Sequence, residues 1–258
     1  MNKQTPDGSA GDADYGRIGA GYAHHRRPDA RIASAITDAL GAVRTVVNVG
    51  AGAGSYEPVG PEVTAVEPSR SMRAQRPPHL SRAVDGVAER LPFDDDSFDA
   101  AMSTFSVHQW RDPAAGLAEM RRVARGPVVV LTCDPELVRD FWLAAYAPLV
   151  LETEARRYPL LPAIAEALGG DVAVDRVPVP LDCTDGFNEA YYGRPELLLD
   201  PGARQACSAW SFVEPDLREQ YVDHLRRELE SGRWDELHGP LRQEPTFDGS
   251  LVLIRALP

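Results

Sequence analysis

Residues Val46 to Pro58 read VVNVGAGAGSYEP, a valine-rich run that gives way at once to three glycines in five positions. Missing Cβ atoms let a backbone turn tightly from a strand into a helix, and let a ligand approach the main chain and the helix N-terminus. Such junctions occur in α/β chains that bind nucleotides. The dinucleotide fingerprint G-x-G-x-x-G/A is not met, because the third small residue falls one position early, at Gly54, with Ser55 behind it. The next apolar run ends TAVEPS. It puts Glu67 seventeen residues after Gly50, near the spacing at which an acidic side chain takes ribose hydroxyls. The plainer alternative is a glycine-rich turn with a solvated glutamate.

Helical and strand patterns alternate around this junction. PDARIASAITDALG puts Ile32, Ala35, Ile36, Ala39 and Leu40 on one helical face, with Pro28 suited to the first turn and Gly41 to the stop. Short apolar runs follow at Val63–Glu67, Phe98–Phe105 and Pro127–Cys133, with a weaker one at Ser81–Gly86. RDPAAGLAEMRRVARG predicts a helix capped by Asp112, started by Pro113 and facing inward through Leu117, Met120 and Val123 or Ala124. This alternation predicts a parallel sheet with helices on both faces. At 258 residues and 43% hydrophobic content the chain fits a single domain with a real core.

The second half breaks the rhythm. Val172–Pro180 and Ser250–Leu257 read as two late strands separated by a segment far too long for a tight connection. That segment holds a probable helix on which Leu217, Tyr221, Leu225 and Leu229 recur every four residues, and an aromatic-rich piece, 135–159, follows the strand at Pro127–Cys133. The expectation is one domain with a cap made of about 135–159 and 181–249.

A net charge of −12 opposes binding to phosphate backbones, so nucleic acid is not an expected partner. Cys133, Cys183 and Cys207 show no metal-ligand spacing and cannot all pair, which suits a reducing cytoplasm. The start of the chain lacks the apolar core of a signal peptide, and Phe141–Leu151 falls short of the ~20 residues a membrane span needs. Asp94–Ser97 lacks the spacing and glycine of a calcium loop and reads as a turn, so no metal is expected.

The combination VVNVGAGAGSY, AVEPSRSM, GVAERLPFDDDSFDAAMSTFSVHQW and EMRRVARGPVVVLTC resembles the class I S-adenosylmethionine-dependent methyltransferases, in particular the methyltransferase type 11 group. The resemblance implies a Rossmann-like, seven-stranded, mostly parallel sheet of order 3-2-1-4-5-7-6. It also implies an N-terminal segment (1–42) that covers the cofactor S-adenosyl-L-methionine, a cofactor-binding core (43–134), and a remainder (135–258) carrying the acceptor cap. Residue by residue, it implies that Gly50, Ala51, Gly52 and Gly54 lie on the cofactor, Glu67 and Pro68 at the ribose, and Met72, Ala88 and Glu89 at the adenine. Ser103 to Phe105 would floor the transfer site, and Tyr22 or Arg26 could meet the methionine carboxylate. Asn48 and Val87 depart from the family pattern, each standing where an acidic residue is common.

His108 falls where the resemblance places the acceptor. It could take a proton from an oxygen or nitrogen nucleophile as the methyl group arrives, or merely hydrogen-bond its loop. Tyr15, Phe187, Tyr191, Tyr192 and Trp210 are the candidate acceptor-binding aromatics; a rigid cap or a homodimer surface is the alternative use of the 180–212 segment. No NPPY-like motif or proline-flanked cysteine points to a nucleic acid base. The expected activity is methyl transfer to a small molecule. A cyclase using the same cofactor, a cofactor sensor and, less favoured, a nicotinamide oxidoreductase stand as alternatives.

Overall fold

The computed structural model describes residues 22–258, without the side chains of Tyr22 and Ala23. Its central sheet has six strands: β1 (Thr45–Val49), β2 (Glu62–Val66), β3 (Ala100–Thr104), β4 (Val128–Cys133), β5 (Asp171–Arg176) and β8 (Leu251–Leu257). Their order is β2-β1-β3-β4-β8-β5. The first four run parallel, and β8 lies antiparallel to both β4 and β5. This is the expected order with its outermost strand missing. Residues 81–86 pair with β2 only through Val84, whose N–H donates to Ala65 O at 2.8 Å and whose carbonyl accepts from Glu67 N at 3.0 Å. The segment offers one β-branched residue before Asp85 and Gly86, too little for a ladder, and it closes the sheet as a blunted edge. The run at Val172–Pro180 also divides. β5 ends at Arg176, and Val179–Pro180 (β6) pairs instead with Thr246–Phe247 (β7), since Pro178 and Pro180 have no N–H for the main ladder.

Alternation along the strands sorts the core. Val46, Met102, Val129 and Leu131 face the helix Ala30–Leu40, whose inner residues are Ile32, Ile36 and Leu40. Val47, Val49, Ala101, Val128 and Val130 face the helices Pro113–Val123 and Leu161–Leu168 on the other side. Asp29 caps the first of these helices, accepting from Arg31 N at 3.0 Å, and Gly41 ends it at φ 70°. Pro28 therefore lies just outside the first turn. Asp112 caps Pro113–Val123 through Ala115 N. The helix Pro215–Glu230 forms, burying Val222 and Leu225 while Leu217, Tyr221 and Leu229 are partly covered.

Residues 135–159 and 181–249 build over the carboxyl side of β3 and β4. Phe141, Tyr192, Trp210 and Trp234 are fully buried there and belong to the same apolar cluster as Val46 and Ile36. Among the described residues no helix is long and apolar enough to cross a membrane.

Candidate active site

The glycine run follows β1 directly. Gly50 adopts φ 70°, its N–H bonds Val66 O at 2.9 Å, and a Cβ there would sit 1.7 Å from Ser106 Oγ. Gly52, at φ 53°, donates its N–H to Glu67 Oε2 at 2.8 Å, while Glu67 Oε1 accepts from Ser69 N at 2.8 Å. A buried carboxylate at the end of β2 thus clamps the loop after β1.

Above this clamp opens a cleft of about 810 Å³ that is partly continuous with solvent. Of the residues proposed from sequence, it gathers Arg26, Gly50, Ala51 and Gly52, then Glu67, Pro68 and Met72, then Ala88 and Phe105. Three others lie elsewhere, each for a physical reason. Gly54 packs its α-carbon against Leu80 and Arg76, so it serves loop packing rather than the cleft. Glu89 accepts from the N–H groups of Arg111 and Asp112 at 2.8 and 3.1 Å, ordering the approach to the following helix. Ser103 is fully buried within β3, and Thr104 and Phe105 present the strand end instead. Tyr15 lies outside the described residues, and only the backbone of Tyr22 is described, in the short helix Tyr22–His25.

The sequence reading missed Tyr56 and Asp185. Tyr56, at φ 63°, donates its hydroxyl to Asp185 Oδ2 at 2.9 Å, and Asp185 Oδ1 pairs with Arg26. This connection ties the glycine loop, the N-terminal segment and the cap into one wall. Burial, then the Asp185 charge, pushes the Tyr56 hydroxyl far above its usual range, so it stays a donor. Asn48 is also explained: its Nδ2 donates to Glu57 Oε1 at 3.1 Å, and Glu57 is ion-paired with buried Arg76. An aspartate at 48 would set two carboxylates against each other.

A second cavity, of about 470 Å³, shares Arg26 and Phe105 with the first. Its other walls include His108, Glu154, Arg157, Tyr158, Phe187 and Asn188. Phe105, at φ 49°, has its ring 5.4 Å from that of Phe187 and 5.0 Å from the Arg26 guanidinium carbon, and so forms the partition. The His108 ring lies 4.6 Å from that of Tyr158 at a tilt of 54°, and its Nδ1 is buried without a hydrogen-bond partner among the described residues. Burial pushes the imidazole well below its ordinary pKa, and the charges of Arg157 and Arg26 push the same way, so it is neutral at pH 7. Of the described acceptor-binding aromatics expected from the sequence, Phe187 faces this cavity and the other three do not. Tyr192 stacks on Phe247 and donates to Glu244 O at 2.6 Å, Tyr191 is buried in the cap, and Trp210 stands one layer behind, donating to Asn188 Oδ1 at 3.0 Å.

Comparison with known proteins agrees with this architecture. A family model described as a methyltransferase domain matches residues 47–130. An uncharacterized methyltransferase of Mycobacterium tuberculosis is 32% identical over 202 residues, covering 73% of this chain and 74% of the relative. A demethylmenaquinone methyltransferase of Renibacterium salmoninarum is 37% identical over 106 residues, covering 37% of this chain and 44% of that protein. For such shorter matches the chain spans less than half of the relative's length. A crystal structure of a proposed methyltransferase from an antibiotic biosynthesis pathway of Anabaena variabilis superposes with a TM-score of 0.83 at 31% identity. It covers 90% of this chain and 98% of the other. The chain belongs to the class I S-adenosylmethionine-dependent methyltransferases.

The cleft's chemistry fits that cofactor. Glu67 presents a carboxylate suited to hydroxyls, and Met72 and Ala88 an apolar face suited to a purine. Phe105, Trp110 and Tyr56 offer aromatic faces suited to a sulfonium cation.

Proposed function

We propose that this protein transfers a methyl group from S-adenosylmethionine, held in the cleft at Gly50–Gly52 and Glu67, to a small molecule held in the second cavity. The observation that carries the reading is the shared wall: two separately built cavities meet at Arg26 and Phe105. The cofactor supplies an electrophilic methyl group on a cationic sulfur. The protein's task is then alignment and water exclusion, since bringing two reactants into line contributes on the order of 7–11 kcal/mol in well-oriented systems. Phe105 and Phe187 shield the junction, Arg26 is positioned by Asp185, and His108 contacts the acceptor as a neutral imidazole. The net charge of −12 supports a small-molecule acceptor over nucleic acid. Three buried, unpaired cysteines support a reducing, cytoplasmic setting.

The test is incubation of the protein with methyl-labelled S-adenosylmethionine and the small-molecule fraction of an extract of its source organism. The expected result is label in one metabolite together with equimolar S-adenosylhomocysteine. Cofactor binding with no labelled product would contradict the proposal.

A further inference from the structure

His108 is poorly suited to accept a proton, but another group on the same cavity is oriented to do so. Glu154 lies in the last turn of the helix Pro148–Arg157 beside the cavity, and its Oε2 accepts from Asn188 Nδ2 at 2.6 Å. The Asn188 amide is itself fixed, because Trp210 Nε1 donates to Asn188 Oδ1 at 3.0 Å and an indole N–H can only donate. Trp210 therefore sets which end of Asn188 faces Glu154, and Asn188 holds one carboxylate oxygen. Oε1 has no hydrogen-bond partner among the described residues. A base held by a second group that is held by a third is the arrangement general-base catalysis needs.

The geometry points to Glu154 as the general base of this site, acting on an acceptor whose nucleophile is a hydroxyl of phenol or enol type, with Asn188 and Trp210 as positioning residues. This rests on the methyl-transfer reading above. As the acceptor oxygen bonds to the methyl carbon, its proton passes to Glu154 Oε1, and the electron pair of the broken C–S bond stays on sulfur. The proton then leaves to solvent with the product. Arg26 and Arg157, on the same walls, favour the developing oxyanion, which is why an acidic hydroxyl is the matching class.

The groups around Glu154 act in both directions. Burial raises its pKa above the ordinary value, opposed by the Asn188 hydrogen bond and by Arg157 and Arg26. Also nearby are His108 after β3, Tyr158 on the same segment, Cys133 on β4, and Glu189 and Cys207 from the cap. A carboxylate whose pKa is raised is a stronger base than an ordinary one.

The test has two readouts. The first is infrared titration of the side-chain carboxyls in the S-adenosylhomocysteine complex, with Glu154→Gln and Glu189→Gln difference spectra separating the two buried glutamates. A Glu154 band titrating above 4.5 is expected, moved still higher in Trp210→Phe, which releases the Asn188 amide. A band in the ordinary range, or one unmoved in Trp210→Phe, overturns the proposal. The second is methyl transfer to the extract's labelled metabolite between pH 5 and 9. Glu154→Gln is expected to lose ~10²–10⁴-fold and the acid limb of the profile, while His108→Ala keeps that limb. A Glu154→Gln protein with undiminished transfer and an unchanged limb overturns the proposal. Wild-type protein that binds the cofactor but labels nothing overturns the methyl-transfer reading itself.

Discussion

Glu67 joins two backbone segments as well as facing the cleft, and its substitutions separate those roles. Its oxygens accept from Gly52 N and Ser69 N. Hydrogen bonds to a charged acceptor contribute ~1.5–3 kcal/mol each. Glu67→Ala should therefore weaken S-adenosylmethionine at least about tenfold by calorimetry. Glu67→Gln should fall between, since an amide offers one oxygen where two N–H groups need acceptors; unchanged affinity in both would remove Glu67 from the site. Gly50→Ala makes a different prediction. Its methyl group would strike Ser106 at a φ of 70°, so it should lower the unfolding temperature by several degrees even without ligand. An unshifted melt would mean that the loop can move aside.

At the scale of elements, periodicity read the helices and strands around the glycine run well, because each is specified by its own neighbours: a cap, an apolar stripe, a glycine stop. The third strand failed for the converse reason. The weak run at 81–86 has too few β-formers to build a ladder, and it meets β2 through Val84 alone. The site divides the same way. Gly50, Gly52 and Glu67 were legible from spacing within one strand-turn-helix unit and Met72 from the family resemblance, whereas Asp185 meets Tyr56 across 129 residues and Arg26 across 159. No local signal could have joined them. That long connection makes Asp185→Asn an informative variant. It keeps the shape but removes the charge that holds Arg26, so it should raise the cofactor's Kd and the KM together and also lower the melt, since a buried guanidinium loses its counter-charge. A normal Kd would show that the cap does not reach the cleft through Arg26. The aromatic cap also shares its apolar cluster with the helix Ala30–Leu40, so excising 181–249 should unfold the protein rather than leave a cofactor-binding half. A folded, cofactor-binding truncation would refute that continuity.

For the molecule as a whole, buried carboxyls make stability depend on pH. Burial raises Glu189 to about 7 from 4.5, even though it accepts from Ser250 N at 3.0 and 2.9 Å. Between those values the folded state binds more protons than the unfolded one, so this residue's contribution falls as pH rises from about 4.5 to 7 and is flat above. His108 acts oppositely, since its depressed pKa costs stability as pH falls below 6.5. The two overlap, so the telling quantity is a difference. Glu189→Gln should gain melting temperature relative to wild type as pH goes from 5 to 8, and a pH-independent difference would place the Glu189 titration outside that window. The same burial joins cap and sheet into the frame that holds both cavities. On the proposed function, one cleft presents an activated methyl group to the second cavity across the Phe105 partition. A crystal structure of the protein with S-adenosylhomocysteine tests this. It should show ribose hydroxyls on Glu67, adenine against Met72 and Ala88, and the sulfur directed past Phe105 toward His108 and Glu154. A ligand bound elsewhere, or with its sulfur turned away from the second cavity, would contradict it.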